Sequence, residues 1–260
     1  MNRFKSLFPQ PKPIIGMISL PPLPGYPAFH TIEALIDAAL ADLEALQRGG
    51  AHGVLIENDF DQPHTLSGGP EIIAAMTRVA HEVTARARVP VGIQVLLNDW
   101  RASLAIAAAA NAQFVRLDFF VDRVQIKAGI IEPQPKAIIA YRKAIRAEQI
   151  VLLTDIQVKY STLVDGPKSL EKSAREAAAA GADALVVTGA ATGIGPQPED
   201  LHAARVHDIP MIIGSGLTST NAPALLPYAD GAIVGTFLRS GPHPNDRIVE
   251  SQVRALMASI

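Results

Sequence analysis

The 260-residue sequence contains no cysteine, which excludes disulfides, thiolate nucleophiles and cysteine-ligated zinc or iron–sulfur sites. It also lacks an excess of either charge. Lys and Arg total 23, Asp and Glu 25, and the formal net charge is −2. Nucleic acid and anionic membrane surfaces call for a basic surplus, and neither is an expected partner. Long apolar runs are missing too. The most apolar stretches, such as 104–110, fall far short of the roughly 18 to 20 residues a membrane span needs. Residues 1–13 scatter Arg3, Lys5 and Lys12 around Phe4, Leu7 and Phe8, with no continuous apolar region of the signal-peptide kind. A soluble cytoplasmic protein without direct membrane insertion is the expectation.

Charged residues make up only 18% and hydrophobic residues 48%, enough for a large core. Short β-branched runs at 14–20, 53–57, 91–97, 114–117, 150–156, 184–187, 211–213 and 232–234 alternate with alanine-rich amphipathic segments. Runs that are apolar throughout suit parallel strands covered on both faces. The helices expected between them span 31–48, 70–88, 99–110, 135–147, 168–180, 198–207, 219–226 and 244–258. Thr31, Asn98 and Ser219 are candidate caps at helix starts, and glycines at 49–50 and 181 are candidate C-terminal caps. Eight strand–helix units in about 250 residues, with no compositional break, predict one α/β domain over 1–260. Its fold is a (β/α)8 TIM barrel, with an open doubly wound sheet as the alternative.

In such a barrel the active site is built from the loops at the carboxyl ends of the strands. The longest irregular segments, 21–30, 59–69, 118–134 and 158–167, all follow strands. Gly214-Ser215-Gly216 after the seventh run and Gly235-Thr236 after the eighth sit where barrels of this class hold a phosphate group. Glycine there reads either as close backbone approach to an anion or as a tight turn and nothing more.

The motifs from Ile15 to Gly25 (IGMISLPPLPG), Gly53 to Asn58 (GVLIEN), Val89 to Asp99 (VPVGIQVLLND), Thr188-Gly189 with Thr192-Gly193, and Gly214 to Gly216 together resemble the BtpA family over essentially the whole chain. The resemblance implies a ribulose-phosphate-binding-barrel-like fold and a phosphorylated small-molecule ligand. Thr188 and Gly189 join Gly214, Ser215, Gly216, Gly235 and Thr236 as expected ligand-binding residues. The family takes its name from a part in photosystem I accumulation, and relatives placed among sugar-utilisation genes are enzymes by inference only. Two positions depart from the family pattern. Ser19 stands where a histidine precedes LPPLPG, and Tyr160 stands where Val-Lys is followed by histidine. Imidazole is the side chain best placed to move protons at neutral pH, so both departures bear on the chemistry.

Polar residues at the strand ends are Glu57, Asn58, Asn98, Arg116, Asp118, Asp155, Gln157 and Lys159. Residues 155, 157 and 159 share parity, so a strand that stays extended points all three into the mouth. An Asp155–Lys159 pair reads equally as acid and base, with lysine a Schiff-base former, or as an ion pair bracing the rim. Glu57 is a candidate general base. Asn98 and Arg116 are candidate ligand contacts, although Arg116 also suits pairing with Asp118 or Asp155. Glu57, Asp59, Asp61 and His64 match no metal-ligand spacing and read as a capping loop. No metal and no cofactor is expected. His30 and His64 lie in rim loops, whereas His52, His202 and His207 fall beside helices. Segment 118–134 is a candidate lid or homo-oligomer contact. Two functions follow: a sugar-phosphate enzyme of aldolase, isomerase or lyase type, or a non-catalytic assembly or regulatory factor that keeps the barrel and its anion site.

Overall fold

A computed structural model describes residues 2–206 and 208–260, so His207 lies outside the described residues. The apolar runs form parallel strands that close on themselves in the order β1-β11-β10-β9-β7-β4-β3-β2. Their ranges are β1 (Ile14–Ser19), β2 (Gly53–Glu57), β3 (Val91–Gln94), β4 (Phe114–Leu117), β7 (Val151–Asp155), β9 (Ala184–Val187), β10 (Met211–Ile213) and β11 (Gly231–Val234). Pairing of Ile14 with Ala232 and of Ser19 with Glu57 ties the first strand to the last and to the second. The alternative of an open sheet is thereby ruled out.

Side chains alternate between two cores. One, between strands and helices, includes Ile14, Ile18, Val54, Ile56, Leu152, Ile213 and Val234. The other fills the barrel interior with Ile15, Met17, Leu55, Phe114, Leu153, Val186, Ile212 and Ile233. An element not expected from sequence closes the bottom: α1 (Arg3–Leu7), capped by the Asn2 side chain, brings Phe4 and Phe8 into that interior core. The Phe8 ring meets Phe114 edge-on at 5.8 Å.

The outer helices are α2 (Ile32–Gly49), α3 (Pro70–Arg86), α4 (Trp100–Ala110), α5 (Pro135–Ala144), α6 (Leu170–Ala179), α7 (Pro198–Ala203), α8 (Ala222–Leu225) and α9 (Glu250–Met257). Thr31 caps α2 through Ala34 N–H, and Gly50 ends it in the left-handed conformation at φ 94°. Two expected caps fall elsewhere. Asp99, not Asn98, caps α4, and the turn before α8 is held by Asn221, whose Oδ1 accepts from Thr218 N–H, not by Ser219. Among the described residues, no helix is long and apolar enough to cross a membrane.

Segment 118–134 is not irregular. β5 (Val124–Ile126) and β6 (Gly129–Ile131) make an antiparallel hairpin, and β8 (Thr162–Leu163) adds a third strand. Phe119, Val124 and Val158 form a small core of their own under it, with Ile126, Ile131 and Leu163 packed alongside. Its base is pinned by Asp122, which accepts from Gln157 N–H, Lys168 Nζ and Ser173 Oγ at 2.7–2.8 Å.

Candidate functional site

Strand alternation decides what stands at the mouth. Counting two residues beyond the last interior position of each strand, which is Gly92 in β3 and an apolar side chain in the others, gives Ser19, Glu57, Gln94, Arg116, Asp155, Thr188, Gly214 and Gly235. The uppermost layer of the interior is thus polar or glycine where the layers below are apolar. Above it opens a cavity of about 1200 Å³, walled by the loops after the strands and roofed by Ile126, Lys127 and Ala128 of the hairpin. These three residues bring the hairpin to the edge of the mouth, the place of a lid.

Three polar contacts organise the floor. Arg116 donates from Nε and Nη2 to the two carboxylate oxygens of Asp155, at 2.8 and 2.9 Å. Gln94 Nε2 donates to Asp118 Oδ1 at 2.7 Å, and Ser19 Oγ donates to Glu57 Oε1 at 3.0 Å. Burial, reinforced by Asp59, pushes the Glu57 carboxyl up to about 8 against the opposing pull of Arg116, Ser19 and Lys159. Burial and the nearby Asp155 push Asp118 up to about 7, again against Arg116 and Lys159. Burial lowers the proton affinity of Arg116, but Asp155 outweighs it and the guanidinium stays charged. The floor therefore holds one locked ion pair and two carboxyl groups that retain protons near neutral pH.

On one side of the mouth lie the glycine loops. The N–H groups of Gly216, Leu217, Gly235 and Thr236 make no hydrogen bond among the described residues, and all four residues line the cavity. The turn carrying the first two is held by Asn221, whose Nδ2 donates to Gly216 O at 2.9 Å. Gly216 has φ 69°, and a Cβ on it would come within 2.0 Å of Gly195 N. Its glycine is thus required by packing against the loop after β9, whatever the ligand. Ser215 serves the same packing: its Oγ accepts from Gly189 N–H at 3.0 Å and donates to Ile194 O at 2.9 Å.

Of the residues expected from sequence, Glu57, Arg116, Lys159, Gly214, Ser215, Gly216, Gly235 and Thr236 line this cavity together. Asp155, Asn98, Thr188 and Gly189 do not. Asp155 is only 1% exposed beneath Arg116. Asn98 spends its amide on the Phe119 backbone, giving to the carbonyl and accepting from the N–H at 3.2 Å each. Thr188 Oγ1 accepts from Lys159 N–H at 3.1 Å, and Gly189 is the strut to Ser215.

The shared parity of 155, 157 and 159 also fails. β7 stops at Asp155, and Gln157 turns to φ 45°, sending its amide to Lys168 O and Ser173 Oγ at the lid base. Lys159 still reaches the mouth, by way of the loop. Asp61 anchors its loop by accepting from Leu23 N–H and Asn58 Nδ2 at 2.8 and 2.9 Å. His64 lines the cavity and His30 does not. Ser19 and Tyr160, the two departures from the family pattern, both face the cavity. Gln94 was not among the expected site residues, and Asp118 was expected at a strand end only as a possible partner of Arg116. Parity signals Gln94 within the apolar run 91–97, two residues after inward Gly92, and Asp118 follows the end of β4.

The BtpA family model matches residues 10–260. A protein of Archaeoglobus fulgidus is 36% identical over 245 residues, covering 94% of this chain and 98% of its own length. The photosystem I biogenesis protein BtpA of Synechocystis is 31% identical, covering 100% of this chain and 91% of its own length. Solved structures share the barrel at low identity. (S)-3-O-geranylgeranylglyceryl phosphate synthase from Thermoplasma acidophilum, in complex with sn-glycerol-1-phosphate, superposes with TM-score 0.65 at 16% identity, covering 98% of this chain and 96% of its own. Tryptophan synthase from M. tuberculosis superposes with TM-score 0.62 at 17% identity and full coverage of both chains. The chain belongs to the BtpA family and has its TIM-barrel fold.

Proposed function

We propose that this BtpA-family barrel binds a phosphorylated small molecule across its carboxyl-end mouth and moves protons on it between Glu57 and Asp118. The observation that carries this reading is a juxtaposition. Four unpartnered N–H groups, on Gly216, Leu217, Gly235 and Thr236, share one cavity with two carboxyl groups poised to exchange protons near pH 7. Backbone donors fixed in a loop suit phosphate oxygens, since their dipoles need no reorganisation to meet the anion. The Thermoplasma synthase, solved with sn-glycerol-1-phosphate bound, supports the reading as a barrel of similar shape that holds a phosphate ester.

Glu57 and Asp118 both line the cavity and both feel Arg116; with Asp118 near 7 and Glu57 near 8, the Asp118 carboxylate can accept a proton from carbon while the Glu57 carboxyl gives one to oxygen. That is the chemistry of isomerases, lyases and aldolases. Lys159 supplies a cation, or an amine for a carbonyl, beside both. Gln94 Oε1 is buried and unpartnered, and accepts a ligand hydroxyl in this reading. A sugar phosphate is the simplest substrate with a phosphate at one end and an enolisable carbon further along. Asp155, proposed from sequence as an acid, acts here only by holding Arg116.

The test is calorimetric titration with inorganic phosphate, followed by turnover of a panel of sugar phosphates. Thr236→Glu places a carboxylate at an exposed edge of the cradle and should weaken phosphate binding at least about tenfold, the equivalent of about 1.4 kcal/mol. Lys159→Ala should abolish turnover and leave phosphate affinity intact. Unchanged phosphate binding in Thr236→Glu would remove the cradle from the proposal, and full turnover in Lys159→Ala would remove the lysine.

One observation favours a second reading, a non-catalytic assembly role like that in the name of the Synechocystis relative. Leu66, Ile130, Tyr160 and Ile194 are exposed large apolar side chains, and all four lie on rim loops or the lid. Complementation of a deletion strain separates the two readings. An assembly factor fails with Leu66→Glu and Ile130→Glu and tolerates Lys159→Ala, and an enzyme does the reverse.

A further inference from the structure

The mouth is asymmetric in a way a simple sugar phosphate does not use. In the strand order of the closed barrel, β10 and β11 lie diametrically opposite β3 and β4. Beyond β10 and β11 the cavity wall carries the glycine loops with their unpartnered N–H groups, joined by Leu217, Phe237 and the Arg239 side chain. Beyond β3 and β4 it is Leu96, Leu97 and Phe119, with Ile126 of the lid above them. Of the polar floor, Gln94, Arg116 and Asp118 stand at the ends of β3 and β4 below these apolar residues, and Glu57 stands at the end of β2.

We propose that the ligand carries an aromatic or hydrocarbon group at the end away from its phosphate, held under the lid against Leu96, Leu97, Phe119 and Ile126. The inference rests on the phosphate reading above and deepens it by naming the substrate class: an amphiphilic phosphate ester. Three observations support it. The cavity, about 1200 Å³, exceeds the roughly 300–1,000 Å³ typical of small-molecule pockets, and a sugar phosphate leaves much of it unfilled. The side chains of Leu96, Leu97, Phe119 and Ile126 offer no hydrogen bond, the polar groups of that side being Gln94 and Asp118 on the floor and Lys127 on the hairpin, so apolar surface placed against the four leaves water favourably.

The third observation concerns rigidity. Phe119 is 5% exposed, its backbone is gripped from both sides by the Asn98 amide, and it belongs to the lid's separate apolar core with Val124 and Val158. The far pole is thus a formed apolar surface that needs no rearrangement to present itself. A ligand spanning the mouth puts phosphate on one pole, its reacting carbons over the carboxyl groups and its apolar end under the lid.

The experiment titrates the full chain with inorganic phosphate, glycerol 3-phosphate and 1-naphthyl phosphate, two monoesters that differ in the apolarity of the attached group. Naphthyl phosphate should bind at least about tenfold tighter than glycerol 3-phosphate. Ile126→Asp, at a partly exposed lid position, should erase that advantage while inorganic phosphate affinity stays within about twofold of the parent, which also reports an intact barrel. Leu97→Gln provides the same check from the wall. Equal or tighter binding of glycerol 3-phosphate overturns the inference and leaves the phosphate reading standing. So does a naphthyl advantage that survives both substitutions. If neither ester nor inorganic phosphate binds, the phosphate reading fails and this inference falls with it.

Discussion

Arg116 and Asp155 are joined by two parallel hydrogen bonds of 2.8 and 2.9 Å at the floor of the mouth, their side chains 6% and 0% exposed. Such a fork neutralises two charges that could not otherwise be taken out of water. It also sets the electrostatics of the site. Arg116 pulls the Glu57 and Asp118 pKa values down while Asp155 pushes Asp118 up, so the pair tunes both carboxyl groups without having to touch a ligand.

Breaking the fork from one side should be costly. Asp155→Asn leaves a buried guanidinium without its counter-charge, and a loss of about 3–5 kcal/mol is expected from urea unfolding. Replacing both partners, Arg116→Met with Asp155→Leu, should recover most of that stability because no charge remains to be solvated. A single substitution as mild as the double one would show that the pair is not buried as described.

The Arg116–Asp155 pairing was open in the sequence among several partners, and only the closed barrel selects it. The barrel itself was legible, because eight apolar runs with intervening amphipathic segments admit few other packings. Glu57 and the two glycine loops were legible for the same reason: strand ends in a barrel face the mouth. Three features were not. Gln157 leaves the strand path because its backbone turns to φ 45°, and parity says nothing past a strand's end. Asn98 looks like a ligand residue from its position, but its amide is consumed by the Phe119 backbone, a contact 21 residues away in the chain. Helix α1 is five residues long, too short for periodicity to register, and its role comes from two phenylalanines filling the barrel bottom.

Glu57 gives a pH signature with a definite sign. Its folded-state pKa is raised from 4.5 to about 8, so the native protein holds a proton that the unfolded chain has released. Stability therefore falls as pH rises from about 4.5 towards about 8 and levels off above. Glu57→Gln removes this contribution. The variant should gain on the parent by an amount on the order of 3 kcal/mol between pH 5 and pH 8, read as the difference between their melting curves at each pH. Comparing the two proteins cancels His52 and His64, which burial lowers and which act in the opposite direction. A gap that does not change with pH would mean that Glu57 titrates normally.

Gly216→Ala tests why that glycine is there. The added methyl meets backbone at 2.0 Å, and the φ of 69° disfavours any side chain. A loss of about 2 kcal/mol or more is expected, with faster amide exchange in the segment from Gly189 to Gly195 that packs on it. Ser215→Ala should loosen the same segment by about 1 kcal/mol through its two lost hydrogen bonds. Unchanged exchange in both variants would show that the two loops are not coupled.

Asn98→Gly separates structural support from ligand contact at the opposite pole. Glycine accepts the φ of 135° without strain, so the change removes only the side chain. The Phe119 N–H and carbonyl then lose their partner, and about 1–2 kcal/mol of stability should go with them. Because β3 and the phosphate cradle face each other across the barrel, inorganic phosphate should bind Asn98→Gly within about twofold of the parent. Proton exchange at the Phe119 amide should rise in the same variant, since Asn98 Oδ1 is its acceptor. A selective loss of phosphate affinity, with Phe119 still protected, would instead place the Asn98 amide on the ligand and return it to the role its sequence position suggested.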